Sequence, residues 1–102
     1  MNDNETSATA EPKMPVPPAS FEYLVATFRI QTELQLGLLR LDEDQDAEPN
    51  LDAARHFIDM LAMIQEKTKG NLSLEEQRLI ENSLTELRFR FVQASSSKAA
   101  KA

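Results

Sequence analysis

The sequence QEKTKGNLSLEE, in the second half of the chain, constrains the fold more than any other stretch. Lys67 and Lys69 suit the last turn of a helix, because the negative end of the helix dipole stabilises cations. Gly70 can adopt the left-handed conformation that ends a helix. Ser73 and Glu76 have the spacing of a capping box, in which each side chain accepts a hydrogen bond from the other residue's backbone N–H. One helix should therefore end and the next begin within a few residues, so that the two pack antiparallel.

The apolar spacing on the two sides of this turn predicts helices over about residues 51–69 and 74–94. A further helix is predicted upstream, over residues 20–41, with Ser20 as its N-cap. An acidic loop, residues 42–50, connects it to the hairpin. No stretch has the period-two pattern of a strand. We expect an all-α fold of three helices, in which the second and third form the hairpin and the first packs across it.

The two ends of the chain are expected to lie outside this fold. Residues 1–19 are polar and proline-rich, and residues 95–102 are small and polar, so both are predicted to be disordered tails. The helical domain is then residues 20–94. A domain of this size buries only ~60% of its unfolded surface and is marginally stable alone. Because the chain has no cysteine, a disulfide cannot add stability. We therefore expect oligomerisation to complete the fold.

The charge of the chain is concentrated in one place. The formal net charge is −6, and residues 42–48 contain five carboxylates and no basic residue. A general attraction to nucleic acid is not expected from such a chain. The absence of cysteine fits a reducing compartment, no signal peptide is evident at the N-terminus, and no apolar stretch has the length of a membrane span. The expected location is the cytoplasm.

The predicted first helix has two apolar stripes on opposite sides. One stripe contains Phe21, Leu24, Val25, Phe28 and Leu39, and is interrupted by Thr32 and Gln35. The other contains Tyr23, Ile30, Leu34, Leu38 and Leu41.

A helix at the surface of a domain needs only one such stripe. Either a small three-helix unit covers the helix unevenly and leaves leucines exposed, or the second stripe contacts another chain. We favour the second interpretation, because contiguous exposed apolar surface usually marks an interface. With Met63 and Phe89, which fall among charged residues on the other helices, the second stripe is the predicted interface of a homo-oligomer, with a dimer expected first. An unidentified protein partner is the alternative occupant.

Several segments together resemble a known bacterial family. They are Phe21, Leu24-Val25, Gly37, the LxxAR of residues 51–55, the IDML of residues 58–61, the IQEKTKGNLSxEE of residues 64–76 and the LR of residues 87–88. Over residues 21–93 the chain resembles domain-of-unknown-function family 1844, whose members are small proteins from several bacterial phyla. The resemblance implies a short, mainly helical protein without an established activity. It assigns no catalytic residue, substrate or cofactor.

The acidic loop imitates the start of a calcium-binding loop. Asp42, Asp44 and Asp46 have the alternating spacing that converges carboxylates on one ion. The sixth position should then be glycine and is Ala47, and the twelfth should be glutamate and is Ala53. The pattern therefore favours an ordinary solvated loop over a calcium site.

A second metal hypothesis concerns the only histidine. His56 shares a helical wall with Asp52 and Asp59, a spacing that suits a divalent ion. One imidazole and two carboxylates, with no second histidine and no cysteine, make a weak ligand set. A surface ion pair or hydrogen bond is the favoured interpretation, and no metal or cofactor is expected.

The residues needed for catalysis are scarce. A nucleophile requires an activating base, and the chain offers one histidine and no cysteine. Ser20 and Ser73 are explained as helix caps, and Ser83 is predicted to be a buried hydroxyl with no activating group nearby in sequence. With two glycines, the chain contains no glycine-rich phosphate loop. The sequence therefore predicts a non-enzymatic protein–protein interaction module.

A nucleic-acid-associated regulatory protein is the alternative function. The short turn between two helices is followed by the basic residues Arg78, Arg88, Arg90, Lys98 and Lys101. Against this reading, the acidic residues Glu75, Glu76, Glu81 and Glu86 are interspersed among the arginines. Alternating charges of this kind are more typical of a solvated helix face.

Overall fold

The structure, a computed structural model, describes residues 15–39 and 48–101. Over these residues the chain forms three helices and no strand, so the all-α prediction is confirmed. The predicted N-terminal tail and acidic loop lie mostly outside the described residues.

The three helices are α1 (Phe21–Gln35), α2 (Leu51–Lys67) and α3 (Leu74–Lys101). Each helix packs against both of the others. The core therefore lies between the three helices.

Helix α1 begins where the sequence predicts and ends earlier. The Ser20 hydroxyl accepts a hydrogen bond from the N–H of Tyr23 over 3.0 Å, as an N-cap does. At the other end, Gly37 has a φ of +81°. The N–H of Leu38 donates to the carbonyl of Glu33 over 2.9 Å, which is the long bond of a Schellman motif. The helix therefore ends at Gln35, six residues before the expected end at residue 41.

The connection between α1 and α2 ends close to the point where it begins. The N–H of Asn50 donates to the carbonyl of Gln35 over 2.7 Å. A Cβ added at Gly37 would lie 3.8 Å from Cγ of Pro49, an ordinary contact. The side chain of Asn50 then caps α2 by accepting a hydrogen bond from the N–H of Ala53 over 3.0 Å. The last residue of α1 and the N-cap of α2 are thus joined directly by a backbone hydrogen bond.

The turn between α2 and α3 contains the predicted capping box. The N–H of Ser73 donates to Oε1 of Glu76 over 2.8 Å, and the N–H of Glu76 donates to the Ser73 hydroxyl over 3.1 Å. Gly70 has a φ of +86°. Lys67 lies in the last turn of α2, and the Lys69 ammonium lies 3.7 Å from the carboxylate of Glu66 at the surface.

Helix α3 is longer than the sequence suggested. It continues to Lys101, seven residues beyond the expected end at residue 94, so the segment from Ser95 that was expected to be a disordered tail is helical. No glycine or proline follows Ser73 to stop the helix. Alanine and lysine, which dominate the last five residues, are both strong helix formers. Local helix propensity therefore outweighs the polar composition that indicated disorder.

The core consists of apolar side chains from all three helices, namely Val25, Ile58, Leu61, Ile80, Leu84 and Leu87. Phe28 extends this core by packing against Phe57 of α2, with ring centroids 6.3 Å apart. The guanidinium of Arg55 covers the Phe91 ring at 5.5 Å, a cation–π contact between α2 and α3.

Thr32 occupies the buried face of α1 that it was expected to interrupt. Its side chain is fully buried, and its hydroxyl donates to the carbonyl of Phe28 over 2.8 Å. Because this bond satisfies the hydroxyl within the helix, the methyl group can face the core. Leu24 and Leu39, which were assigned to the same face, are instead largely exposed.

Candidate functional site

The side of α1 that faces away from the core carries a second set of residues at regular helical spacing. We call Tyr23, Thr27, Ile30 and Leu34 the outer face of α1; they follow one another at steps of four, three and four residues. Tyr23 and Ile30 are 46% and 48% exposed, and Leu34 is half-buried. This spacing is that of a helix seam which packs against another helix. The described part of the chain covers this face only in part, and leaves Tyr23 and Ile30 about half exposed.

Thr27 places a hydroxyl in the middle of the outer face, and this hydroxyl already has a hydrogen-bond partner. The hydroxyl donates to the carbonyl of Tyr23 over 2.9 Å. Burying a hydroxyl that has no partner costs ~1–3 kcal/mol of free energy. This penalty does not apply to Thr27, because its hydroxyl keeps its hydrogen bond when the face is covered. The middle of the outer face is therefore compatible with a dry, apolar contact, whereas the Tyr23 hydroxyl at its end requires solvent or a hydrogen-bond partner.

The other predicted interface residues are not part of this face. Leu38 is exposed but lies beyond the end of α1, and Leu41 lies outside the described residues. Met63 is exposed on α2, and Phe89, 62% exposed, lies on α3. Because three helices surround a common core, their outward faces point in different directions. Only Tyr23, Ile30 and Leu34 of the predicted set therefore form one surface.

Paired charges lie along one edge of the outer face. Nη2 of Arg29 donates to Oε1 of Glu86 on α3 over 3.1 Å and lies 3.8 Å from the carboxylate of Glu33. The other carboxylate oxygen of Glu86 accepts hydrogen bonds from Arg90 at 3.1 and 3.2 Å. These four side chains neutralise one another within the chain. The apolar stripe is thus bordered by charges that already have partners.

The same network involves one of the arginines considered for nucleic-acid binding. Arg90 is held by Glu86, whereas Arg78 and Arg88 are exposed. The side chains of Lys98 and Lys101 lie outside the described part of the structure. No basic surface is therefore assembled by the residues whose positions are known.

The described residues contain no group of three metal-binding side chains close enough to share an ion. His56 makes an edge-on contact with the Phe57 ring, with centroids 5.4 Å apart. The calcium-like segment, residues 42–46, lies outside the described residues. The Ser83 side chain is buried as predicted, at 1% exposure, and its hydroxyl has no hydrogen-bond partner in the described part of the chain.

Sequence reasoning missed two features of this site. Thr27 lies between Tyr23 and Ile30 on the same side of the helix, but it was not assigned to the stripe because it is a polar residue. The contact of Arg29 with Glu86 joins residues 57 positions apart, and the local pattern contains no signal for it.

The geometry defines a small three-helix protein with a half-exposed apolar seam on its first helix and paired charges beside it. No described helix combines the length and the apolar character that crossing a membrane requires. The chain belongs to a family of unknown function, DUF1844, whose model matches residues 18–93. The resemblance seen in the sequence is thereby confirmed. Comparison with curated proteins and with solved structures gives no match.

Proposed function

We propose that this protein is a non-catalytic interaction module that associates with further copies of itself through the outer face of α1. The observation that supports the proposal is the position of Tyr23 and Ile30. Both are about half exposed on the side of α1 opposite the fully buried Val25 and Thr32. A helix with apolar stripes on two opposite sides is typical of a helix covered on both.

Energetics favour covering this face. Each Å² of apolar surface removed from water contributes about 25 cal/mol. Single exposed apolar residues are normal on any protein surface, but three in register on one helix form a continuous stripe. A second helix laid along the stripe would cover all three at once. The resulting assembly supplies core that one short chain lacks.

The charge distribution supports a protein partner over nucleic acid. The chain has a net charge of −6, and Arg90 is already paired with Glu86. Phosphate binding depends on free cations and is opposed by a surplus of carboxylates. The apolar character of the outer face fits another apolar helix.

The test is the molar mass of the protein in solution, measured by light scattering over a wide concentration range. We expect the wild-type mass to rise above that of the 11.5 kDa chain as concentration increases. Ile30→Glu should abolish this rise, because a charge on the seam cannot be buried without a partner. Its helix content, measured by circular dichroism, should stay unchanged because Ile30 is half exposed in the single chain.

Val92→Glu is the matched control, since Val92 is a 59% exposed apolar residue of α3 and is not a member of the outer face of α1. It should associate as the wild type does. A wild type that keeps the mass of one chain at every concentration, or an Ile30→Glu variant that still associates, would refute the proposal.

A further inference from the structure

The order of side-chain sizes along the outer face of α1 specifies how two copies fit together. The face carries a large residue at one end, Tyr23, then a small one, Thr27, and then Ile30 and Leu34. We propose that two chains pair through their α1 helices in antiparallel orientation, with the two-fold axis between Thr27 and Ile30. This inference rests on the proposed function and names the arrangement of the two copies.

Volume complementarity favours the antiparallel arrangement. It places Tyr23 opposite Leu34 of the second copy, and Thr27 opposite Ile30, so that each layer combines a larger residue with a smaller one. A parallel pair would place two tyrosines in one layer and two threonines in another. The first layer would be crowded and the second would leave a gap, whereas well-packed interiors avoid both.

Hydrogen bonding is compatible with this packing. Opposite Ile30, Thr27 would be surrounded by apolar groups. Its hydroxyl already donates to the carbonyl of Tyr23 over 2.9 Å, so the methyl group is free to face the second copy. Thr27 therefore keeps its hydrogen bond when the face is covered, and Tyr23, at the end of the face, can keep its hydroxyl in solvent.

The edges of the outer face add no repulsion. In the antiparallel arrangement Glu33 of one copy lies near Ala26 of the other, and Leu24 lies near Gln31. The one charge among these edge residues, Glu33, lies 3.8 Å from Arg29 of its own chain. Leu24, which is 40% exposed in the single chain, would gain cover at the edge.

The size of the contact sets its strength. A helix ~22 Å long buries less than the ~800 Å² per partner of a standard stable interface. The dimer should therefore form reversibly and depend on concentration.

Disulfide trapping tests the arrangement cleanly, because the chain has no cysteine of its own. We would prepare Tyr23→Cys and Leu34→Cys, one of them with an affinity tag so that the two differ in size. A disulfide requires Cα atoms ~4.4–6.8 Å apart, and the antiparallel arrangement brings position 23 of one copy opposite position 34 of the other. When the two variants are oxidised together, the mixed disulfide between them should therefore form in clear excess over the disulfide of either variant with itself. Val92→Cys, on α3, is the control and should remain uncross-linked.

Because substituting Tyr23 or Leu34 removes apolar contacts from the seam, a second measurement leaves the seam residues unchanged. A nitroxide on Glu22→Cys, an exposed position beside the seam, reports the distance between copies by pulsed electron resonance. In the antiparallel arrangement the two labels are displaced ~20 Å along the helix axis, from a rise of 1.5 Å per residue. A parallel pair gives no axial displacement.

The failures of the two proposals are distinguishable. Dimers in which Tyr23→Cys and Leu34→Cys each link only with themselves, with short distances between Glu22 labels, would overturn the antiparallel arrangement and leave self-association standing. A wild type that remains a single chain would overturn both.

Discussion

Arg29 and Glu86 join the first helix to the last: Nη2 of Arg29 lies 3.1 Å from Oε1 of Glu86. Glu86 is also bound by Arg90 of its own helix, so one carboxylate receives two guanidinium groups. This network connects α1 and α3 at the surface, while the burial of Val25 and Thr32 determines which side of α1 faces the core.

The first prediction concerns the energy of this pair. The two side chains are 31% and 41% exposed, so solvent screens the interaction, and exposed pairs contribute about 0.2–1 kcal/mol. A double-mutant cycle of Arg29→Met and Glu86→Gln, followed by urea unfolding, should give a coupling free energy of ~0.5 kcal/mol. The coupling should shrink in 1 M salt. Equal coupling at both salt concentrations would show that the contact is not mainly electrostatic.

The second prediction concerns Ser83, whose buried hydroxyl has no hydrogen-bond partner among residues 15–39 and 48–101. Ser83→Ala should raise the free energy of unfolding by about 1 kcal/mol, because it removes an unsatisfied polar group from the core. In a domain of this size that gain corresponds to a melting temperature about 5 °C higher. Ser96→Ala, at an exposed serine of the same helix, controls for helix propensity alone. If both substitutions stabilise equally, the Ser83 hydroxyl is satisfied in solution.

The third prediction concerns Gly70. Its φ of +86° is rare for other residues, and an added Cβ would meet nothing within 4 Å. The cost of substitution therefore comes from backbone conformation alone. Gly70→Val should lower the free energy of unfolding by more than about 1 kcal/mol. Gly70→Asn should cost less, since asparagine tolerates the left-handed region. Melting curves of the two variants measure this difference. Equal melting temperatures would contradict the conclusion that the cost comes from the left-handed backbone conformation of Gly70.

The fourth prediction compares two residues of α2. Leu61 is fully buried, whereas Met63, two positions on, is 44% exposed. Leu61→Ala should cost about 2–5 kcal/mol because it leaves a cavity, a large part of the stability of any small domain. Met63→Ala should change the free energy of unfolding by less than about 0.5 kcal/mol. Chemical denaturation measures both, and a comparable loss at Met63 would mean that its side chain is buried in solution.

The turn between α2 and α3 could be predicted because all its determinants are local. Gly70, Ser73 and Glu76 lie within seven positions, and each acts on backbone atoms close to it in sequence. Capping and left-handed glycine geometry need no knowledge of the tertiary fold. Such a signal can be read from one sequence.

The end of α1 could not be predicted in the same way. Gly37 lies within a run of leucines that continues the helical pattern, and a glycine inside a helix is tolerated at a cost of ~1 kcal/mol. Leu38 and Leu39 therefore extended the predicted stripes beyond the true end. At this end of α1 the carbonyl of Gln35 accepts a hydrogen bond from the N–H of Asn50. The local sequence pattern contains no signal for that contact.

The outer face of α1 could be predicted from the sequence only in part. Periodicity alone showed two apolar stripes, and the structure shows which one faces the core. That choice depends on contacts between residues distant in sequence, such as the packing of Val25 with the core residues of α2 and α3. A helical wheel gives the angle between two faces but not their orientation toward the rest of the protein.

The hydrogen bond from Asn50 to Gln35, 2.7 Å long, gives the stretch between α1 and α2 unusual freedom to vary. Because the helix ends are fastened to each other, the number of residues inserted between them need not alter how the helices pack. Doubling the length of such a closed stretch costs only ~0.6 kcal/mol in entropy. The length and charge of this stretch can therefore be changed while the architecture is kept, and a reporter domain or an epitope can be grafted there.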